Sequence, residues 1–229
     1  MLKKTEGLVI NSIRYKESSV IVKIFTREIG LKSYVVNGVR TQGAKSKSAL
    51  FQPMTLLDLV VYDRENQGLH RISEVKLSQP FRHIPFDFER TGLALFMSEV
   101  INRSIYENYQ NEDLFDFLKN SLFYLDQSAN SNRHFPLVFL IEQAKFLGFG
   151  PDDPQEYIDE SKRLAFSPEE FSTAFDYLGQ LMNDSFDCQY KPGLQIRRKL
   201  LDYLLEFYNE QLGSNQAWKS MAILRQLMI

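Results

Sequence analysis

The chain has one cysteine, Cys188, among its 229 residues. A single thiol excludes an intrachain disulfide and any zinc site built on cysteine pairs, and it fits a reducing compartment. Histidine is equally scarce. His70, His83 and His134 are scattered, with no H-E-x-x-H or H-x-x-x-H spacing that would set two imidazoles on one helix face. No apolar run approaches the ~18 residues that a membrane span requires. The opening residues Met1-Leu2-Lys3-Lys4-Thr5-Glu6-Gly7 lack the apolar core of a signal peptide. A glycine-rich phosphate loop and a G-x-S-x-G elbow are also missing. Asp152, Asp153, Asp159 and Glu160 cluster, but in an irregular acidic stretch rather than on rigid elements that could hold a metal pair. These gaps predict a cytoplasmic protein with no catalytic residues, no metal, no cofactor and no membrane role.

What is present is an uneven distribution of charge. Residues 1–80 carry 13 Lys/Arg against 7 Asp/Glu, a net of +6, while residues 81–229 carry 14 against 22, a net of −8. The whole-chain net of −2 conceals this split. The basic part also alternates with period two and the acidic part with the helical period. A basic β-module joined to an acidic helical body suggests a nucleic-acid binder with a protein-facing second half.

Five strands are legible in the first part, over residues 8–13, 20–25, 31–39, 54–62 and 68–77. Thr26-Arg27-Glu28-Ile29-Gly30 joins the second and third, with Gly30 free to take a positive φ. Five short strands in so few residues predict a small closed barrel of the OB-fold kind, since closure removes exposed edges. After Pro80 the pattern predicts helices over 87–106, 114–125, 135–147, 167–182, 194–212 and 220–228. The helix over 135–147 is apolar almost all round, as a central bundle helix is. Ser167-Pro168-Glu169-Glu170 is a cap with proline and acids in the first turn. The stretch 152–167 is acidic and irregular, with room for a short hairpin. The fold class expected is therefore α+β in two domains: an OB-fold DNA-binding domain over 1–80 and an all-α helical domain over 81–229.

The sharpest candidate site is the loop after the third strand. It carries Arg40, Lys45 and Lys47 with no acid, and Gly38, Gly43, Thr41, Ser46 and Ser48 around them. Such a loop can clamp a phosphate backbone without reading bases. Lys23, Lys32 and Arg71 on the strands extend the basic surface, and Tyr34, on one strand face with Lys32 and Arg40, is a candidate base platform. Arg197-Arg198-Lys199 opens the long late helix, where cations oppose the helix dipole. Pairing of Arg198 with Asp202 at i, i+4 is the plain explanation; a docking spot for an acidic partner is the functional one.

The order of features resembles the bacterial RecO family of recombination mediators. The resemblance is carried by Glu6-Gly7-Leu8-Val9-Ile10, by Tyr15-Lys16-Glu17-Ser18-Ser19, and by Val22-Lys23-Ile24-Phe25-Thr26-Arg27-Glu28-Ile29-Gly30. Gly38-Val39-Arg40, Leu50-Phe51-Gln52-Pro53-Met54-Thr55-Leu56-Leu57 and Phe146-Leu147-Gly148-Phe149-Gly150-Pro151 continue it, and the stretch from Tyr203 to Lys219 is similar to the family's C-terminal part. Many members carry a four-cysteine zinc site after the last glycine-proline position; residues 152–166 here contain neither Cys nor His.

The resemblance implies a non-catalytic role in homologous recombination and gap repair. It implies binding of single- and double-stranded DNA, annealing of complementary strands, and work with RecR and the single-strand binding protein SSB so that RecA can load. It implies a cytoplasmic protein that associates with the nucleoid when bound to DNA. An SSB tail is acidic and ends in an apolar residue, so its dock should pair cations with an apolar pocket; Arg133, Lys145, Arg197, Arg198 and Lys199 are the candidates. The contrasting expectation is a protein-interaction adaptor that never touches DNA directly.

Overall fold

The computed structural model describes residues 1–39, 48–63, 68–127, 132–158 and 166–227. Contacts divide the chain into two compact units, Met1–Gln127 and Ser128–Ile229.

The first unit is built on a closed five-stranded barrel in the order β1-β2-β3-β5-β4. Its strands are β1 (Leu2–Tyr15), β2 (Ser19–Thr26), β3 (Gly30–Val36), β4 (Leu56–Tyr62) and β5 (His70–Leu77). This is the expected OB-type barrel. β1 is long because it serves two neighbours. Its first half pairs with β4 and its second half with β2. The hand-over is a bulge at Ile10, between the pairs Val9↔Ile24 and Asn11↔Lys23. Bulges of this kind bend a strand around a barrel corner. Val9, Val22, Ile24, Tyr34, Leu57, Leu59 and Val61 point inward and form the core. Gly7 also faces inward, where a Cβ would approach Ile24 and Leu59 to 2.7 Å.

Two strand ends differ from the sequence pattern. β4 starts at Leu56 rather than residue 54, because Met54 adopts φ 64°, which no strand residue can. β3 stops at Val36 rather than residue 39. Val39 still enters the core, with its N–H donating to the Ser18 carbonyl at 2.9 Å.

Strands give way to helices at residue 80, where the expected domain boundary falls, yet the compact unit runs on to Gln127. The reason is burial. Leu8 and Ile10 point outward from the barrel and are fully buried, with Ser98 of α1 (Phe88–Ser104) donating to the Ile10 carbonyl at 2.5 Å. Phe25 points outward against Tyr109 and against Phe115 of α2 (Glu112–Gln127), ring centroids 6.4 and 6.0 Å away. Without these helices three large apolar side chains would face water. The link between them guards an edge. β3 pairs with β5 only at Tyr34 and Val35, leaving the first half of that edge without a strand partner. Residues 107–109 fill that gap: Leu31 N–H donates to Tyr109 O, Asn108 N–H to Leu31 O, both at 2.8 Å, and Glu107 accepts from Ser33 N–H at 2.8 Å.

The second unit is helical. A turn of 3-10 helix, Asn132–His134, leads into α3 (Phe135–Phe146), buried on nearly every side. Around it lie α4 (Pro154–Tyr157), α5 (Pro168–Asp184), α6 (Leu194–Gln211) and α7 (Met221–Leu227). Tyr208 donates to Leu140 O at 2.7 Å, and Tyr203 to Tyr157 O at 2.6 Å, so these two hydroxyls are satisfied by backbone. Ser167 caps α5 in a capping box with Glu170. In the stretch expected to be irregular or a hairpin, Pro154–Tyr157 is one helical turn capped by Asp153; residues 159–165 lie outside the described part.

Candidate nucleic-acid interface

Strand alternation sorts the predicted barrel residues. On β2 the inward positions are Val20, Val22 and Ile24, so Lys23 faces out, with Asn11 and Ser33 as its cross-strand partners. On β5 His70 packs inward against Tyr34 and Ile72 packs against the core, so Arg71 faces out and is exposed. The outward face of the barrel thus carries both Lys23 and Arg71, two strands apart. Lys32 shares its parity with Tyr34 and Ile24, but its ammonium reaches an exposed position and donates to Asn108 Oδ1 at 2.6 Å.

Tyr34 is not a base platform. Its ring is 1 % exposed and lies in the barrel core, 5.8 Å from the ring of His70. Burial, with the nearby Asp63 and Glu107 carboxylates, drives its phenol pKa upward, so the hydroxyl stays neutral. The inward parity of β3 is the physical cause, since the core claims the large ring. Arg40, Lys45 and Lys47 lie outside the described residues.

Four of the barrel's acids are engaged, while Glu17 and Glu74 have no ion-pair partner among the described residues. Asp63 is held by Lys3 at 2.7 Å, and that bond keeps its carboxyl below the usual range. Asp58 pairs with Lys76 at 3.3 Å, Glu6 with Lys119 at 2.7 Å, and Glu28 accepts from Thr5. Among the described residues, Lys4, Arg14, Lys23 and Arg71 have no acidic partner within ion-pair distance. Unneutralised cations on a rigid convex surface are what a phosphate backbone requires.

The strand register brings together residues that lie far apart in the sequence. Ile13 pairs with Ile21, Ile21 with Val35, Val35 with Arg71, Arg71 with Tyr62, and Tyr62 with Leu2. All six face outward and form one row around the barrel, which starts and ends on β1. Sequence reasoning missed Tyr62 as a site residue. It follows the core residue Val61, so alternation alone marked it as outward; the strand pairing needed to place it beside Arg71 cannot be read from one sequence.

In the second unit, the candidate cations separate. Lys145 pairs with Glu142 at 3.2 Å, and Lys199 with Glu170 at 2.7 Å. The expected Arg198–Asp202 pair does not form: Arg198 donates to the Arg225 carbonyl at 2.9 Å, and Asp202 is taken by the Arg225 guanidinium at 3.2 Å. The last helix, α7, thus competes for both partners. Arg197 is only 6 % exposed, and its Nε has no hydrogen-bond partner among the described residues. Burial, followed by the charge of Arg133, lowers its pKa. His134 shares a 2.6 Å hydrogen bond between Nδ1 and the Tyr177 hydroxyl. Burial, then Arg133, Arg197 and Lys191, push His134 down to about 4. Arg133, Lys191 and Arg197 therefore form a cationic cluster around the neutral His134 imidazole, beside the start of α6.

No group of three or more potential metal ligands occurs among the described residues. No helix among them is long and apolar enough to cross a membrane.

The family model for the N-terminal part of recombination protein O matches residues 1–81, and the model for its C-terminal part matches residues 85–157. A "DNA repair protein RecO" of Flavobacterium psychrophilum is 33 % identical over 98 % of this chain and 98 % of its own length. One from Flavobacterium johnsoniae is 34 % identical over 98 % of each. One from Bacteroides fragilis is 33 % identical over 99 % of each.

Proposed function

The chain belongs to the RecO family, whose role is in DNA repair, and from that premise we propose that it is a non-catalytic DNA-binding recombination mediator. It binds single- and double-stranded DNA through the barrel, anneals complementary strands, and works with RecR and SSB so that RecA can load. The observation that carries the reading is the outward face of the barrel, where Lys23 and Arg71 stand without acidic partners among the described residues. Annealing needs cations that lower the repulsion between two phosphate backbones while leaving base edges free. Cations fixed on strands, together with the basic loop of Arg40, Lys45 and Lys47, meet that need. The helical unit is the partner dock in this reading: the positive charges of Arg133, Lys191 and Arg197 suit the acidic tail of SSB.

The test is binding of a labelled 30-nucleotide single strand across a salt series, wild type against Lys23→Ala/Arg71→Ala. Removing one phosphate-binding cation lowers the log–log salt slope by about 0.7, so the double variant should show a slope smaller by about 1.4. An unchanged slope removes these residues from the interface. No binding by the wild type at low salt leaves the protein-only adaptor as the surviving reading.

A further inference from the structure

Tyr62 ends β4 and points away from the core, with 39 % of its surface exposed. Its ring has no aromatic, hydrogen-bond or ion partner among the described residues. Phe25, Tyr34 and Phe51 are buried, and the Tyr15 ring lies under the Lys16 ammonium, 5.3 Å away. Across the strands Tyr62 has Arg71 on one side and Leu2 on the other, and beyond Arg71 comes Val35. Neighbouring strands lie about 4.8 Å apart, so the run from Val35 to Leu2 covers roughly 14 Å, room for several unstacked bases. It contains no acid. Asp63, the residue after Tyr62, is held by Lys3.

We propose that Tyr62 is a base-stacking platform for single-stranded DNA, with Arg71 beside it taking the adjoining phosphate and the apolar flanks Leu2 and Val35 carrying neighbouring bases. This rests on the DNA-binding reading above and adds how the barrel tells a single strand from a duplex. A single strand offers a π-face at every base, and stacking on an aromatic ring tolerates any sequence. In a duplex those faces are already stacked on one another, and only phosphates and groove edges reach the protein. The chemistry of the row therefore assigns different work to its members: Arg71 serves both forms of DNA, and Tyr62 serves only one.

The experiment compares full-length wild type with Tyr62→Ala, Tyr62→Phe and Tyr62→Trp on a single strand and on a duplex of the same sequence. Tyr62→Ala should weaken single-strand binding roughly 5- to 150-fold, leave duplex binding unchanged, and keep the wild-type salt slope, since no charge is removed. Tyr62→Phe should bind as wild type does. Tyr62→Trp should show an indole emission, over the wild-type background from Trp218, that single-stranded DNA quenches. If wild type binds and Tyr62→Ala binds single strands equally well, the stacking role is overturned and the DNA-binding reading stands. Equal weakening on both DNA forms also overturns it. If wild type binds no DNA, the parent reading fails instead.

Discussion

Asp126 offers the clearest quantitative test of how the first unit is held together. Its side chain is 4 % exposed and accepts three backbone N–H groups: Arg82 on Oδ2, and His83 and Ile84 on Oδ1, each at 2.8 Å. Burial works to raise its pKa, but the three N–H bonds outweigh it and the net shift is downward. The carboxylate thus ties the link after the barrel to the end of α2. A hydrogen bond to a charged group contributes about 1.5–3 kcal/mol, and three that share one carboxylate are not additive. Asp126→Ala should therefore cost about 3–5 kcal/mol, the range for stranding buried partners. Asp126→Asn is the sharper variant. Its amide oxygen can keep His83 and Ile84, but its NH2 then faces the Arg82 N–H, donor against donor, so stability should fall by about 2 kcal/mol. Urea unfolding of the full chain reads the energy, and amide exchange at Arg82, His83 and Ile84 reads the place. The pH sign follows from the lowered pKa: the carboxylate's contribution is present above the unfolded value of about 3.9 and disappears as pH falls through the lower folded value. An Asn variant within about 0.5 kcal/mol of wild type, with unchanged exchange at those amides, would refute the clamp.

Two further outcomes can be checked directly. Gly30 sits at φ 78°, and a Cβ there would overlap the carbonyl of Tyr109, whose oxygen accepts from Leu31. Gly30→Ala should destabilise the first unit by about 2–4 kcal/mol through left-handed strain plus displacement of the strap on β3, and a denaturation midpoint equal to wild type would contradict this. His134 should stay neutral down to about pH 4 in an NMR titration of its ring. Because the unfolded chain takes that proton at about pH 6.5, stability should fall as pH drops from about 6.5 towards about 4. A ring midpoint at about 6.5 or above would exclude the buried cationic environment described for it.

The barrel was legible because alternation is a short-range signal. Val20, Val22 and Ile24 on one side of β2, and Gly30 in its turn, needed only neighbouring residues to interpret. The strand ends were not legible, because they are set by partners. Met54 has ordinary strand chemistry but turns left-handed, donating its N–H to Val9 O at 2.7 Å next to the bulge. The extent of the first unit was hidden for the same reason. Leu8, Ile10 and Phe25 are as apolar as the core residues beside them; only the three-dimensional arrangement shows them facing outward, so that α1 and α2 are needed to cover them.

The candidate interface turned on the same distinction. Tyr34 and Lys32 do share a strand face, as alternation said, but alternation assigns residues to two sides without saying which side is the inside of a closed barrel. Val20, Val22 and Val36 settle it, since a barrel of this size fills its interior with side chains and has no room for an aqueous surface there. Once β3 is placed with Tyr34 inward, closure forces the rest. Val35 must face out, its partner Arg71 with it, and Tyr62 and Leu2 after that, because each pairing passes the same side on to the next strand. A single buried tyrosine therefore decides which other tyrosine is left for a ligand. The ring that the sequence placed among cations is the one the core requires, and the ring that looked like an ordinary strand end is the one beside Arg71, which has no ion-pair partner among the described residues.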